Sequence, residues 1–183
     1  MNNKMRKEKI LILSVINNKK IEEIRKELCL FSHSFAALQF PTHITLRKPV
    51  KINENKEKES IENFKKLMKN FSQFEIETED ILTKTYEEKG KTKYTARYTI
   101  KKNENLTELH NLLNSYDKKP KEDFKAHLTL VFGDLTPTNY KKLTKYIEKN
   151  KEKFPLPKLR VDNITLFKRI KNKWKELYRF NLK

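Results

Sequence analysis

Two short segments carry the residue types that acid–base chemistry at a phosphate needs. His43-Ile44-Thr45-Leu46 and His127-Leu128-Thr129-Leu130 share the pattern His, apolar, Thr, Leu, and they begin 84 residues apart in a chain of 183 that has four histidines in all. In a strand, residues two apart project to the same face. Each segment therefore offers one imidazole and one hydroxyl on one side and sends Ile44 and Leu46, or Leu128 and Leu130, toward a core on the other. Two such strands facing each other would leave room for a phosphate between them. One neutral imidazole can then take a proton from an attacking hydroxyl or water while the other, protonated, gives one to the leaving oxygen, a division of labour suited to a side chain that titrates at about 6.5. The threonine hydroxyls would donate to the non-bridging oxygens, where charge grows in the transition state. A lone histidine on a strand is usually structural; two copies of one motif at matching positions point to function.

The elements that must position these segments repeat along the chain. Lys9 to Ile16 reads as an apolar strand and Lys20 to Leu28 as a helix with Ile21, Ile24 and Leu28 on its buried stripe. Phe40 to Leu46 is extended. Ser60 is placed to cap a helix running through Ile61, Phe64, Leu67, Met68 and Phe71. Phe74 to Tyr86 and Lys93 to Lys101 form a hairpin across Gly90, and Leu106 to Leu113 is a further helix. The pattern then restarts: a strand at Ala126 to Phe132, a helix from Pro137 to Lys149 entered through Thr136, and a second hairpin from Leu159 to Ile170 and Trp174 to Leu182. Ile81 matches Ile164 and Tyr98 matches Tyr178 at nearly the offset of the histidines. This is an internal duplication, and it predicts an α+β fold. Two strand-helix-strand-strand lobes with antiparallel sheets would face a central cleft in a single bilobal domain over 1–183, lobe one about 9–101 and lobe two about 120–183, with elements crossing between them.

Composition narrows the function classes. Lys and Arg outnumber Asp and Glu by 42 to 24, a formal net charge of +18, and the segment from Pro137 to Lys183 is especially basic. Such a surface attracts phosphate-rich partners, although a lysine-rich, AT-biased genome yields a similar excess without selection. No apolar run approaches the length needed to span a bilayer. The basic N-terminus and Leu11 to Ile16 lack a cleavage signal, so that stretch reads as a strand. Cys29, the single cysteine, can form neither an internal disulfide nor a thiolate metal site. A cytoplasmic monomer without cofactor, metal or membrane association is the expectation.

These features together resemble the 2H phosphoesterases, which include bacterial 2′-5′ RNA ligase-like proteins, 2′,3′-cyclic phosphodiesterases and viral enzymes that degrade 2′-5′ oligoadenylate. The resemblance covers nearly the whole chain. It rests on the two motifs, on the opening strand Ile10 to Ile16, and on Ile164-Thr165-Leu166 and Tyr178-Arg179-Phe180 near the end. The continuation Leu46-Arg47-Lys48-Pro49 looks like a Gram-positive phosphoesterase branch of that group. The resemblance implies that His43 and His127 are the acid–base pair and that Thr45 and Thr129 hold the phosphate, without assigning which histidine is acid. The charged run Glu54 to Glu59 departs from the family pattern and reads as a solvated loop.

Other residues are candidates for substrate contact. Arg47 continues the face of His43 and Thr45, while Tyr98 and Tyr178 could stack on bases or fill the core. His33 lies where a substrate loop could be, His110 on a helix stripe. The cluster Lys168, Arg169, Lys171, Lys173 and Lys175 marks a hairpin tip. The leading expectation is a metal-independent phosphodiesterase acting on an RNA terminus, oligonucleotide or cyclic nucleotide, through a 2′,3′-cyclic phosphate or a 2′-5′ linkage, with ligation as a conceivable reverse. A phage- or virus-type nuclease degrading cyclic or 2′-5′ signalling oligonucleotides uses the same chemistry on another substrate. A catalytically inert RNA-binding module is the alternative of a different class.

Overall fold

The protein is described by a computed structural model covering residues 7–53, 56–115, 124–171 and 173–183. Its elements run β1 (Lys7–Val15), α1 (Lys19–Ser32), a short 3-10 turn (Ala36–Gln39), β2 (His43–Asn53), α2 (Glu57–Met68), β3 (Phe74–Glu88), β4 (Lys91–Ile100), α3 (Glu104–Ser115), β5 (His127–Phe132), α4 (Pro137–Lys149), β6 (Lys158–Val161), β7 (Asn163–Ile170) and β8 (Lys173–Asn181). Local chemistry sets several boundaries. The Asn18 side chain accepts from the Ile21 N–H to start α1, and Thr136 accepts from Asn139 ahead of Pro137 to start α4. Lys89 and Gly90 both adopt positive φ, 52° and 70°, the two-residue turn whose twist matches a β-hairpin.

All eight strands join one antiparallel sheet in the order β6-β3-β4-β5-β2-β1-β7-β8. The chain is interleaved between the two halves of that sheet. The hairpin β3–β4, which follows the first motif, pairs with the strand of the second motif, while β7–β8 pairs with β1 beside the first. β6 and β7 are separated by Asp162 alone, yet they lie six strand steps apart in the sheet, roughly 29 Å at 4.8 Å per step. A single residue cannot span that distance, so the sheet is strongly bent and its two halves close toward each other. Asn163 makes the crossing possible: its side chain accepts from the Val15 N–H at 3.0 Å and donates to the Val15 carbonyl at 2.8 Å, standing in for a strand neighbour. The core packs Ile44, Leu46, Leu128 and Leu130 with Ile21 and Leu28 of α1, Leu106, Leu109 and Leu113 of α3, and Leu143 of α4.

Three boundaries differ from the sequence reading. Ser60 lies inside α2, whose acidic first turn, with Glu57 and Glu59, suits the positive end of the helix dipole. The charged run is thus helix from Glu57 onward, residues 54 and 55 being outside the described residues. Leu159 to Ile170 is two strands rather than one, broken at Asp162 where the chain changes sheet halves. No helix among the described residues is long and apolar enough to cross a membrane.

Candidate active site

The two motif strands meet at the centre of the sheet through one antiparallel bridge, Ile44 to Leu128. These residues are each other's counterparts in the duplication, so a local two-fold axis passes through the bridge. Continuing the antiparallel register sets His43 opposite Thr129 and Thr45 opposite His127, all four on the face turned away from the Ile44–Leu128 core. His43, His127 and Thr129 line one cavity of about 600 Å³. Thr45 is half-buried at the edge of this group and is not part of the cavity wall.

Both imidazoles are held in the same way. His43 Nδ1 lies 2.8 Å from the Pro41 carbonyl and His127 Nδ1 lies 3.1 Å from the Lys125 carbonyl, each two residues upstream. A carbonyl only accepts, so each Nδ1 carries the proton and each Nε2 keeps its lone pair for the cavity. Burial lowers the His43 pKa to about 4, against the opposing pull of the Pro41 carbonyl and with help from Arg25 and the facing His127. His127 is also lowered, first by burial and then by Arg97 and Lys84, with the Lys125 carbonyl acting in the other direction. Without an anion between them, both rings are therefore neutral near neutral pH.

The segment leading into His43 is fixed from beneath. Arg25 of α1, 3% exposed, donates to the Ala37 carbonyl, to the Phe40 carbonyl at 2.6 Å and to the Thr42 hydroxyl at 2.6 Å. Thr42 in turn donates to Glu22. From the far end of β5, Asp134 accepts from Ser34 and from the N–H groups of Phe35 and Ala36. The Phe40 ring sits edge-on to His43 at 4.9 Å. His43 is thus placed by backbone that other parts of the fold hold down.

Sequence reasoning missed the cationic wall of the cleft. Arg97 is the cross-strand neighbour of Thr129, and Thr99 that of His127, so β4 presents both to the histidine face. The Arg97 Nε is buried without a hydrogen-bond partner, and its guanidinium, lowered in pKa by burial, has no carboxylate within ion-pair distance among the described residues. Lys84 of β3, together with Lys48, Thr95, Tyr86 and Phe132, completes the wall. The available signal was the alternation Thr95, Arg97, Thr99, which reads as a polar strand face, but nothing in the sequence says that β4 lies beside the second motif rather than the first.

Three expected contacts do not reach this cleft. Arg47 is 2% exposed and is not in the cavity wall. The pairing jumps from Leu13–Thr45 to Ile12–Arg47, a bulge at Leu46 that ends the strict alternation and turns Arg47 inward. Tyr98 is fully buried and pairs with Leu128 on the core side, its burial raising the phenol to about 12. Tyr178 lies on the outermost strand, against Phe180 and under the Lys65 ammonium. His33 ends α1 in the left-handed conformation, and His110 is buried, bonded to the Leu46 carbonyl at 2.7 Å and stacked on Phe124. At the basic hairpin tip, Lys168 is paired with Glu57 at 2.6 Å. Cys29 is buried, with its thiol pushed up to about 11.

A bent antiparallel sheet carrying a duplicated pair of central strands is the architecture of the 2H phosphoesterases. The description of the 2′-5′ RNA ligase superfamily matches residues 6–173, and the chain belongs to that superfamily. Solved structures share the fold at low identity. Escherichia coli LigT, complexed with NADP+, superposes with a TM-score of 0.57 at 16% identity, covering 97% of this chain and 99% of its own. The Thermus thermophilus protein TT0787 gives 0.56 at 15% identity over 95% and 97%. Kluyveromyces marxianus Usb1 gives 0.58 at 10% identity over 93% and 97%. No curated protein sequence matches the chain.

Proposed function

We propose that the cleft is the active site of a phosphodiesterase acting on RNA-type or nucleotide phosphodiesters, with His43 and His127 as its acid–base pair and Thr45 and Thr129 donating to the phosphate. The observation that carries this reading is the pairing of the two motif strands through mutually equivalent residues, with both imidazoles on one cavity and both Nδ1 atoms tied to backbone carbonyls. LigT has also been crystallised with 3′-AMP, which is consistent with a nucleotide ligand here.

For a 2′,3′-cyclic phosphate, the neutral Nε2 of one histidine takes a proton from water as the water oxygen bonds to phosphorus. The bond from phosphorus to the 2′ or 3′ oxygen breaks, and the other histidine, protonated, delivers its proton to that oxygen. Cleaving a 2′-5′ linkage uses the same two transfers. Burial, with Arg97 and Lys84 adding to it, favours neutral His127 in the free protein; a phosphate anion offsets the two cations and favours the protonated imidazole that an acid requires. The chemistry requires no metal, and a cytoplasmic location fits RNA-type substrates.

Replacing either histidine by alanine should reduce turnover of a nucleoside 2′,3′-cyclic phosphate or a 2′-5′-linked dinucleotide by about a hundredfold or more, with the native circular dichroism spectrum retained. EDTA should leave the wild type active. Full activity in either variant removes that residue from the acid–base role. Salt-sensitive RNA binding that survives the double substitution, with no turnover of either substrate, would instead favour an inert RNA-binding module.

A further inference from the structure

A second cavity, of about 560 Å³, opens from the first and shares Lys84, Arg97 and His127 with it. It runs along β4 to α3 on the His127 side alone, so the two-fold symmetry of the histidines is not repeated in their surroundings. Its wall combines the chemistry of a nucleotide-binding surface. Lys84, Arg97 and Lys102 have no ion-pair partner among the described residues, whereas the neighbouring Lys101 is engaged with Glu77 at 2.7 Å. Phe124 and Leu106 supply an apolar surface, and the Phe124 ring is backed by His110 at 3.9 Å and 8° between planes, which holds it flat. The Asn111 amide also lines the wall and makes no hydrogen bond among the described residues. The half-buried Arg97 and the exposed Lys84 and Lys102, none of them paired with Glu79 of the same wall, stand beside a fixed aromatic ring and an open amide, a combination that suits a phosphate followed by a base.

We propose that the substrate is an oligonucleotide that continues at least one nucleotide beyond the scissile phosphate into this cavity. Its next phosphate lies against Arg97 and Lys84 and its next base on Phe124, with Asn111 positioned to meet the base edge. The inference rests on the reading of the histidine cleft as a phosphodiesterase site and adds the length and direction of the substrate. Arg97 sits at the junction of the two cavities, which lets one guanidinium serve both phosphates.

The test compares kcat/KM for a nucleoside 2′,3′-cyclic phosphate with that for a short oligoribonucleotide ending in the same group, and for a 2′-5′-linked dinucleotide with that for the trinucleotide. The longer member of at least one pair should be preferred by about ten- to a hundredfold, the worth of one base–aromatic stack. The preferred oligonucleotide should also show a steeper dependence on salt, by about 0.7 in log–log slope for one added phosphate. In Phe124→Ala the length preference should fall toward one; if that variant does not fold, Lys102→Glu and Asn111→Ala carry the same expectation from positions outside the core. Equal use of long and short substrates, or a preference untouched by these substitutions, overturns the inference while leaving the phosphodiesterase reading intact. Turnover of neither kind of substrate overturns both.

Discussion

The low pKa of His43 makes the stability of the fold depend on pH in a way that can be assigned to one side chain. The ring is largely withdrawn from water beside Phe40, and the fold favours its neutral form with a pKa of about 4. In the unfolded chain the same ring titrates at about 6.5. The unfolded state therefore binds the extra proton first as pH falls. The contribution of neutral His43 is fully present above about pH 6.5, is lost on acidification, and levels off below about pH 4. Between about pH 7 and about pH 5 the loss amounts to about 2 kcal/mol. Other groups titrate across the same interval, so the quantity to measure is the difference between the wild type and His43→Gln, in which an amide can still donate to the Pro41 carbonyl. Urea unfolding followed by circular dichroism should give a wild type that loses about 2 kcal/mol more than the variant on going from about pH 7 to about pH 5. His127 contributes with the same sign in both proteins and cancels. Parallel pH dependences, agreeing within about 0.5 kcal/mol, would mean that the ring is not desolvated in the folded protein, and the neutral pair inferred for the empty cleft would go with it.

Two further substitutions test how the cleft is built. Gly133 follows β5 with φ of +97°, and a Cβ there would stand 2.9 Å from the Ala36 Cβ, so Gly133→Ala should cost about 1–3 kcal/mol in chemical denaturation and, by displacing the turn that leads to His43, lower turnover as well. An unchanged unfolding midpoint would mean that this contact is absent in solution. Tyr98→Phe removes a hydroxyl that is buried without a hydrogen-bond partner among the described residues, so thermal unfolding should show a stability within about 1 kcal/mol of wild type or slightly above it. Its turnover should match the wild type; a marked loss would mean that Tyr98 reaches the substrate and that the face assignment of β4 is wrong.

What the sequence made legible follows from how local each signal was. The His-x-Thr faces depend only on strand alternation within four residues, and alternation held as far as Leu46 and Leu130. It failed at the next position in both copies. The β2 bulge falls at Leu46, and the β5 pairing skips Leu130 between Val131–Ala96 and Thr129–Arg97, so Arg47 and Val131, again 84 residues apart, both turn inward. The duplication thus extends to an irregularity that residue types alone do not announce: valine is at ease inside, arginine is not, and only the arginine misled. Helix α4 was fully legible because Thr136 and Pro137 mark its start chemically, whereas α2 begins three residues before the serine that looked like its cap.

The cationic wall was hidden for a different reason. It depends on which hairpin lies beside which motif strand, a choice made by contacts far apart in sequence, such as Asn163 clamping Val15 and β4 pairing with β5 instead of β2. Had β3–β4 packed beside its own motif strand, Arg97 and Lys84 would flank His43 and the two imidazoles would exchange electrostatic environments. Interleaving gives two equivalent motifs unequal neighbours: His43 has an aromatic edge and apolar strands, His127 two cations and a long cavity. In the proposed reaction the two histidines do different work, and the exchange of hairpins between the halves gives them unequal surroundings in which to do it.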